Sequence, residues 1–218
     1  MTKVIFNYDI ENMYNFLSEN ATEYFDNIVY DADEKTITCY VGELPFVKFA
    51  DHISGTTNYI TVNTNGITTP VSVSSSTAYR WDIGYKCRGG IALSIAGAGA
   101  GDNAHYRWRT VITKDNAGKT VILLPETSNF ASSVFSSTVA NGRYLDVDSD
   151  VSNSLSITVL STTTNLNVTG LCPAPITGSE GNYCENVFIM LYRQYDYEGM
   201  IQIGDDKYLS NGGLIIKD

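Results

Sequence analysis

Two copies of the tripeptide Tyr-Arg-Trp are the residues of this sequence best suited to contacting a ligand. They are Tyr79-Arg80-Trp81 and Tyr106-Arg107-Trp108. Aromatic rings interleaved with arginines can stack on sugars or bases, and the guanidinium groups can hold phosphates. A β-strand produces the same pattern without any ligand, because alternate side chains then face the core and the water. The strand interpretation is the simpler one, and these six residues are kept as candidate contacts for a glycan or a partner.

A second candidate for chemistry resembles a phosphate-binding loop. The segment Thr113 to Thr120, TKDNAGKT, matches the pattern GxxxxGK[ST] except that Thr113 stands where the first glycine belongs. Such a loop also requires a following helix whose N-terminus faces the phosphate. Here the next residues are Val-Ile-Leu-Leu-Pro, which favour a strand. We therefore expect a turn between two strands.

The sequence contains few residues that could bind a metal or carry out thiol chemistry. The four cysteines, Cys39, Cys87, Cys172 and Cys184, form no CxxC pair, and there are two histidines, so a zinc site is not expected. Cys172 and Cys184 flank a Pro/Gly loop and would pair only in an oxidising medium; free thiols are the expectation. Asp146, Asp148 and Asp150 leave a simple calcium loop as an open alternative to a solvated turn, although the EF-hand pattern is not met.

No catalytic constellation can be named in the sequence. A nucleophile elbow, an HExxH motif and a Ser/His/Asp grouping with usable spacing are all absent. Paired carboxylates for glycoside hydrolysis remain open, because the fold sets their separation. We expect a protein that is not an enzyme and that has no cofactor.

Charge and composition narrow the class of protein further. The net charge is −10, and residues 1–50 carry nine acids and three bases. Nucleic-acid binding is therefore not expected, since it needs clustered cations. Abundant Ser, Thr, Asn and Gly with fifteen tyrosines are typical of a β-protein. We expect no signal peptide in the first residues and no membrane insertion, because no apolar run is long enough for it.

The elements that must position these residues are mostly strands. Asp9 is the predicted N-cap of one amphipathic helix, in which apolar residues recur from Ile10 at steps of three and four. A hairpin, Ile28–Tyr30 with Thr36–Val41, and a strand at Pro45–Phe49 follow it. Residues 1–53 are thus predicted to form a small α+β docking unit.

The remainder of the chain, residues 54–218, is predicted to be a β-domain. Short strands separated by Asn-Gly and Gly-rich turns recur along it, with a main hairpin between His105 and Leu124. The predicted fold is therefore mainly β, an antiparallel β-sandwich or jelly-roll-like domain preceded by the small α+β unit.

Scattered stretches of the chain resemble a known group of proteins. The N-terminal helix with TITCYVG and PFVKF, the hairpin ITKDNAGKTVIL and the closing KYLSNGGLIIKD are similar to small virion proteins of phages and prophages of gut Firmicutes. The resemblance covers about half of the chain and carries over no functional residue. It implies a structural role in the tail, tail fibre, baseplate or head decoration.

The resemblance also sets the expected partners. The chain would be made in the bacterial cytoplasm and assembled into the virion as a homo-oligomer, for which a trimer is one candidate, beside other virion proteins. Two alternatives stay open. One is a carbohydrate-binding or adhesin module, a receptor-binding tip that would contact a host surface glycan; the other is a head decoration protein.

Overall fold

A computed structural model describes eleven segments of the chain: residues 1–51, 58–64, 67–72, 79–97, 109–123, 155–159, 165–168, 171–175, 183–190, 198–211 and 214–218. The described residues form one short α-helix and seventeen strands, and every strand pair is antiparallel. The predicted fold class, mainly β with one helix near the N-terminus, is confirmed.

Helix α1 spans Ile10–Asn20. The Asp9 carboxylate accepts a hydrogen bond from the backbone N–H of Glu11 at 2.9 Å, which confirms the predicted N-cap. The apolar spacing continues past Asn20, but the helix does not. The Asn20 side chain donates to the carbonyl of Phe16, a local bond of the kind that competes with the helical ladder at a C-terminus.

The first five-stranded sheet has the order β1-β7-β8-β9-β10. Its strands are β1 (Thr2–Ile5), β7 (Tyr79–Cys87), β8 (Gly90–Gly97), β9 (Arg109–Lys114) and β10 (Thr120–Leu123). Strands β9 and β10 pair as a hairpin in which Lys114 lies opposite Thr120. This confirms the predicted hairpin, although it lies at one end of its sheet.

The second five-stranded sheet is a meander of consecutive strands. It contains β2 (Asn27–Asp31), β3 (Thr36–Val41), β4 (Leu44–Ala50), β5 (Asn58–Thr64) and β6 (Ile67–Ser72). Its inner face buries Ile37, Cys39, Val47 and Phe49, whereas Lys48 between the last two is exposed. This sheet therefore has the alternation typical of strands with one solvated face.

The seven-stranded sheet has the order β12-β11-β15-β16-β17-β14-β13. Its strands are β11 (Leu155–Val159), β12 (Asn165–Val168), β13 (Leu171–Pro175), β14 (Tyr183–Met190), β15 (Glu198–Ile203), β16 (Asp206–Asn211) and β17 (Leu214–Lys217). Strands β15, β16 and β17 pair in chain order, and β17 also pairs with β14.

The three sheets share one hydrophobic core. Helix α1 packs on the first sheet at Gly84, where an added Cβ would lie 2.5 Å from Cζ of Phe6 and 2.7 Å from Cε1 of Phe16. Cys184, Val187, Leu209 and Ile216 of the seven-stranded sheet belong to the same cluster of buried residues. The first sheet therefore contributes to a core that all of the layers share.

The hydrogen bonding runs across the predicted boundary between residues 53 and 54. Strand β1 pairs with β7, and β4 pairs with β5. Residues on both sides of the boundary thus share sheets as well as a core. In the described part of the chain, the boundary does not coincide with a break in the strand pairing.

Candidate functional site

The predicted contact residues fall into three groups in the structure. Arg80 and Trp81 lie near the start of β7 with described side chains. Tyr79 is the first residue of that strand, but its side chain is outside the description. Tyr106, Arg107 and Trp108 lie outside the described residues, as do the aspartates at 146, 148 and 150. Of the six candidate contact residues, Arg80 and Trp81 thus have described side chains.

Trp81 is a core residue. Its side chain is 1% exposed, its ring meets that of Phe49 edge-to-face at a centroid distance of 5.4 Å, and its Nε1–H donates to the carbonyl of Ala50 at 2.8 Å. A ring enclosed in this way has no free face on which a sugar could stack. The structure thus corrects the candidate role of Trp81 in ligand contact and agrees with the alternating-strand interpretation.

Arg80 points away from the core and forms a bidentate ion pair. Its Nε donates to Oδ1 of Asp51 at 3.1 Å, and its Nη2 donates to Oδ2 at 2.6 Å. The Asp51 side chain is 3% exposed, and that of Arg80 is 36% exposed. These hydrogen bonds raise the pKa of Arg80 above its usual value. The pair fixes both groups at the place where β4 ends and β7 begins.

Two tyrosines on neighbouring elements, one on α1 and one on β2, pack against each other. The rings of Tyr14 on α1 and Tyr30 on β2 stack with their centroids 5.4 Å apart and an interplanar angle of 23°. Both side chains pack on the rim of the core and remain partly exposed. Desolvation raises the pKa of Tyr30, and the neighbouring carboxylates of Glu11, Asp9, Asp51 and Asp31 raise it further.

The ion pair and Tyr30 lie at the same end of the second five-stranded sheet, where the register pairs Asp31 with Thr36 and Thr36 with Ala50. The carboxylates of Asp9 and Asp51 act electrostatically on both Arg80 and Tyr30. The backbone N–H of Asp51 also donates to the carbonyl of Lys35, at the turn that joins β2 to β3. We call Tyr14, Tyr30, Asp51 and Arg80 together the tyrosine–arginine junction.

Among these four residues, the sequence alone predicted only Arg80 as a candidate ligand contact. Tyr14 was part of the apolar helix face, Tyr30 was part of a hairpin, and Asp51 followed a buried strand without any motif around it. Asp51 and Arg80 are 29 positions apart, so no local spacing could have joined them. The available signal was weak: a lone acid directly after a strand that ends in apolar residues.

The segment that resembles a phosphate-binding loop is a β-turn, as predicted. Oδ1 of Asp115 accepts hydrogen bonds from the backbone N–H groups of Ala117 and Lys119 at 2.9 and 2.8 Å. Gly118 has a φ of +77°, a conformation that favours glycine. Strand β10 follows in place of a helix. These two amides are thus satisfied inside the turn, and no helix dipole faces it.

The described thiols lie in the core. Cys39, Cys87 and Cys184 are free and buried. Burial raises the pKa of Cys87 and of Cys184 to about 12, and it raises that of Cys39 as well. Since Cys184 is free, it forms no disulfide with Cys172 in this structure. Thiols held in the protonated form are poor nucleophiles.

Two further features are absent from the described residues. They contain no group of three or more His, Cys, Asp and Glu residues that could hold a metal ion. Within the same segments, no helix has the length and apolar character needed to cross a membrane.

The chain was also compared with known proteins. No protein-family model, no curated protein and no solved structure matches it.

Proposed function

We propose that this chain is a non-enzymatic structural protein of a bacteriophage virion, a component of the tail, a tail fibre or a surface appendage, which assembles as a homo-oligomer. The sequence stretches similar to small virion proteins motivate the proposal. The proposed location is the virion, after synthesis in the bacterial cytoplasm, and the proposed partners are further copies of the chain and other virion proteins.

The observation that carries the proposal is a strand with an exposed isoleucine at the end of a sheet. Among the described strands, β1 pairs only with β7, so its other edge has backbone groups that no described strand engages. Ile5 on this strand is 56% exposed. An edge strand with exposed apolar side chains is a template for pairing with another chain. Such an edge suits a protein whose role is to assemble.

A second exposed apolar position supports the same interpretation. Val41 and Leu44 lie opposite each other where β3 turns into β4, and Leu44 is 75% exposed. The turn is held in place because the backbone N–H of Gly42 donates to the Asp26 carboxylate at 2.6 Å. A fixed apolar turn loses little conformational entropy when a subunit contacts it.

The test has two parts. The first is mass spectrometry of particles purified from the host that encodes the chain, in which the protein should appear in stoichiometric amounts beside the major capsid protein. Particles that lack it would remove the proposal. The second is native mass measurement of the purified chain, which should give a closed oligomer; a monomer at all concentrations would contradict assembly by the chain alone.

Immunogold labelling of the same particles separates the appendage from the head decoration alternative. Label at the tail supports the proposal, and label distributed over the head supports the alternative.

A further inference from the structure

We propose that the tyrosine–arginine junction binds a neutral saccharide, an activity that does not depend on the assembly role above. Four elements bring the junction together: α1 supplies Tyr14, β2 supplies Tyr30, the end of β4 is followed by Asp51, and β7 supplies Arg80. Binding sites commonly form where several elements converge with a few polar groups in fixed positions.

The polar part of the junction is already ordered. Nε and Nη2 of Arg80 are engaged by Asp51, and a guanidinium carries five N–H donors. Within the described part of the chain, the other donors of Arg80 are available to a ligand hydroxyl. Because the ion pair holds the guanidinium in one orientation, a ligand does not have to immobilise it, which lowers the entropic cost of binding.

The aromatic part complements the polar part. The stacked rings of Tyr14 and Tyr30 form a fixed, partly exposed apolar surface, and each ring carries a hydroxyl that can donate or accept. A pyranose has an apolar face of C–H groups and a rim of hydroxyls. Its face can lie on the outer side of a tyrosine while its hydroxyls reach Arg80.

The charge around the junction selects against an anionic ligand. Tyr30 lies in the field of Asp9, Glu11, Asp31 and Asp51, and the charge of Arg80 is balanced by its ion pair with Asp51. These carboxylates would repel a sulfate, a phosphate or a uronic acid. A neutral saccharide avoids the repulsion and can donate its hydroxyls to the exposed carboxylates of Asp9, Glu11 and Asp31.

The experiment uses the full chain and defined probes. Maltohexaose, cellohexaose and chitohexaose are titrated by NMR to about 10 mM, which lies above the weak end of specific binding; oligogalacturonate is the anionic probe and hexalysine the cationic one. At least one neutral hexasaccharide should bind, and oligogalacturonate should not. Tyr30→Ala and Arg80→Gln should each weaken the binding about tenfold or more, the loss of one stacking or charged contact.

A matched variant controls for general surface effects. Tyr183→Ala removes an exposed tyrosine on β14, in the seven-stranded sheet, and should leave the affinity unchanged. If Tyr30→Ala does not fold, the ring resonances of Tyr14 and Tyr30 in the parent protein decide instead, because the saccharide should shift them.

Three outcomes overturn the proposal: no neutral probe binds the parent protein, hexalysine binds while the neutral probes do not, or the Tyr183 variant loses as much affinity as the Tyr30 variant. The oligomeric state is measured on the same samples. A chain that assembles and binds no saccharide loses only this proposal, whereas a monomer that binds one loses only the assembly role.

Discussion

The two five-stranded sheets bury their strands in different ways. In the first sheet, β8 has six consecutive buried residues, Gly90 to Ile95. In the second sheet, β4 alternates, with Val47 and Phe49 buried on either side of exposed Lys48. This difference indicates that the first sheet is shielded from solvent on both faces and the second sheet on one face.

The contacts explain the difference. On one face of the first sheet, Phe6 and Phe16 pack against Gly84. The first sheet also contacts the seven-stranded sheet. At the β7–β8 turn, the N–H of Gly89 donates to the carbonyl of Lys217 at 2.8 Å, and β9 contacts β14. The first sheet is therefore expected to carry most of the stability, and the second sheet to lose its structure more easily.

The largest expected effect comes from truncating the same residue type in the two sheets. Leu93→Ala removes a fully buried side chain on β8 and should lower the free energy of unfolding by about 2–5 kcal/mol. Leu44→Ala, on the second sheet, removes a mostly exposed side chain and should change it by less than about 0.5 kcal/mol. Urea unfolding followed by circular dichroism measures both, and equal losses would contradict the comparison.

An intermediate effect is expected in the reactivity of two buried thiols. Cys39 belongs to the second sheet and Cys87 to the first, and each must be exposed by opening before it reacts, since burial raises the pKa of both. Under native conditions at pH 8, Cys39 should be alkylated faster than Cys87, about tenfold for each 1.4 kcal/mol that separates the two opening reactions.

The readout is peptide mass spectrometry after timed exposure to iodoacetamide. Labelling in full denaturant, where the two thiols should react alike, is the control. Faster labelling of Cys87 would reverse the expected order of stability.

The smallest effect is expected at a charge pair outside both five-stranded sheets. Nζ of Lys217 lies 2.8 Å from Oδ2 of Asp206, and this hydrogen bond lowers the pKa of Asp206. Because the pKa of Asp206 is lowered in the folded state, its ionised carboxylate stabilises the protein at pH values above the usual carboxyl pKa. This contribution disappears as the pH falls through the folded-state pKa. Lys217→Met should raise the pKa of Asp206 towards its usual range, as measured by NMR titration.

The stability of this variant should change less than that of Leu93→Ala, because the pair is partly exposed to solvent. If Lys217→Met lowered the free energy of unfolding at pH 7 as much as Leu93→Ala does, surface charge and not the first sheet would dominate the stability of the protein.

Local signals predicted local structure well. The Asp9 cap, the β2–β3 hairpin and the turn around Gly118 all depend on residues a few positions apart, and each is confirmed. The end of the helix was less certain, because Tyr24 and Phe25 continue its apolar spacing while packing on the core from a turn. A periodicity reports which residues are buried, and not where the hydrogen-bond ladder stops.

Tertiary pairings could not be predicted in the same way. The pairing of β1 with β7 and the ion pair of Asp51 with Arg80 join segments far apart in sequence, and no turn residue or motif specifies them. The burial of Trp81 followed from strand alternation, but its bond to the carbonyl of Ala50 depends on how the two five-stranded sheets approach each other. The candidate site is thus a property of the assembled layers.

The pairing of β1 with β7 has a consequence during translation. Strands β2, β3 and β4 pair with sequence neighbours and can form soon after they leave the ribosome, whereas β1 has no partner in its sheet until the segment Tyr79–Cys87 has emerged. A nascent chain stopped before that segment would carry Ile5 on an unpaired strand beside a finished meander. Ribosome pausing upstream of residue 79 should therefore favour chaperone capture, and pausing after residue 97 should relieve it.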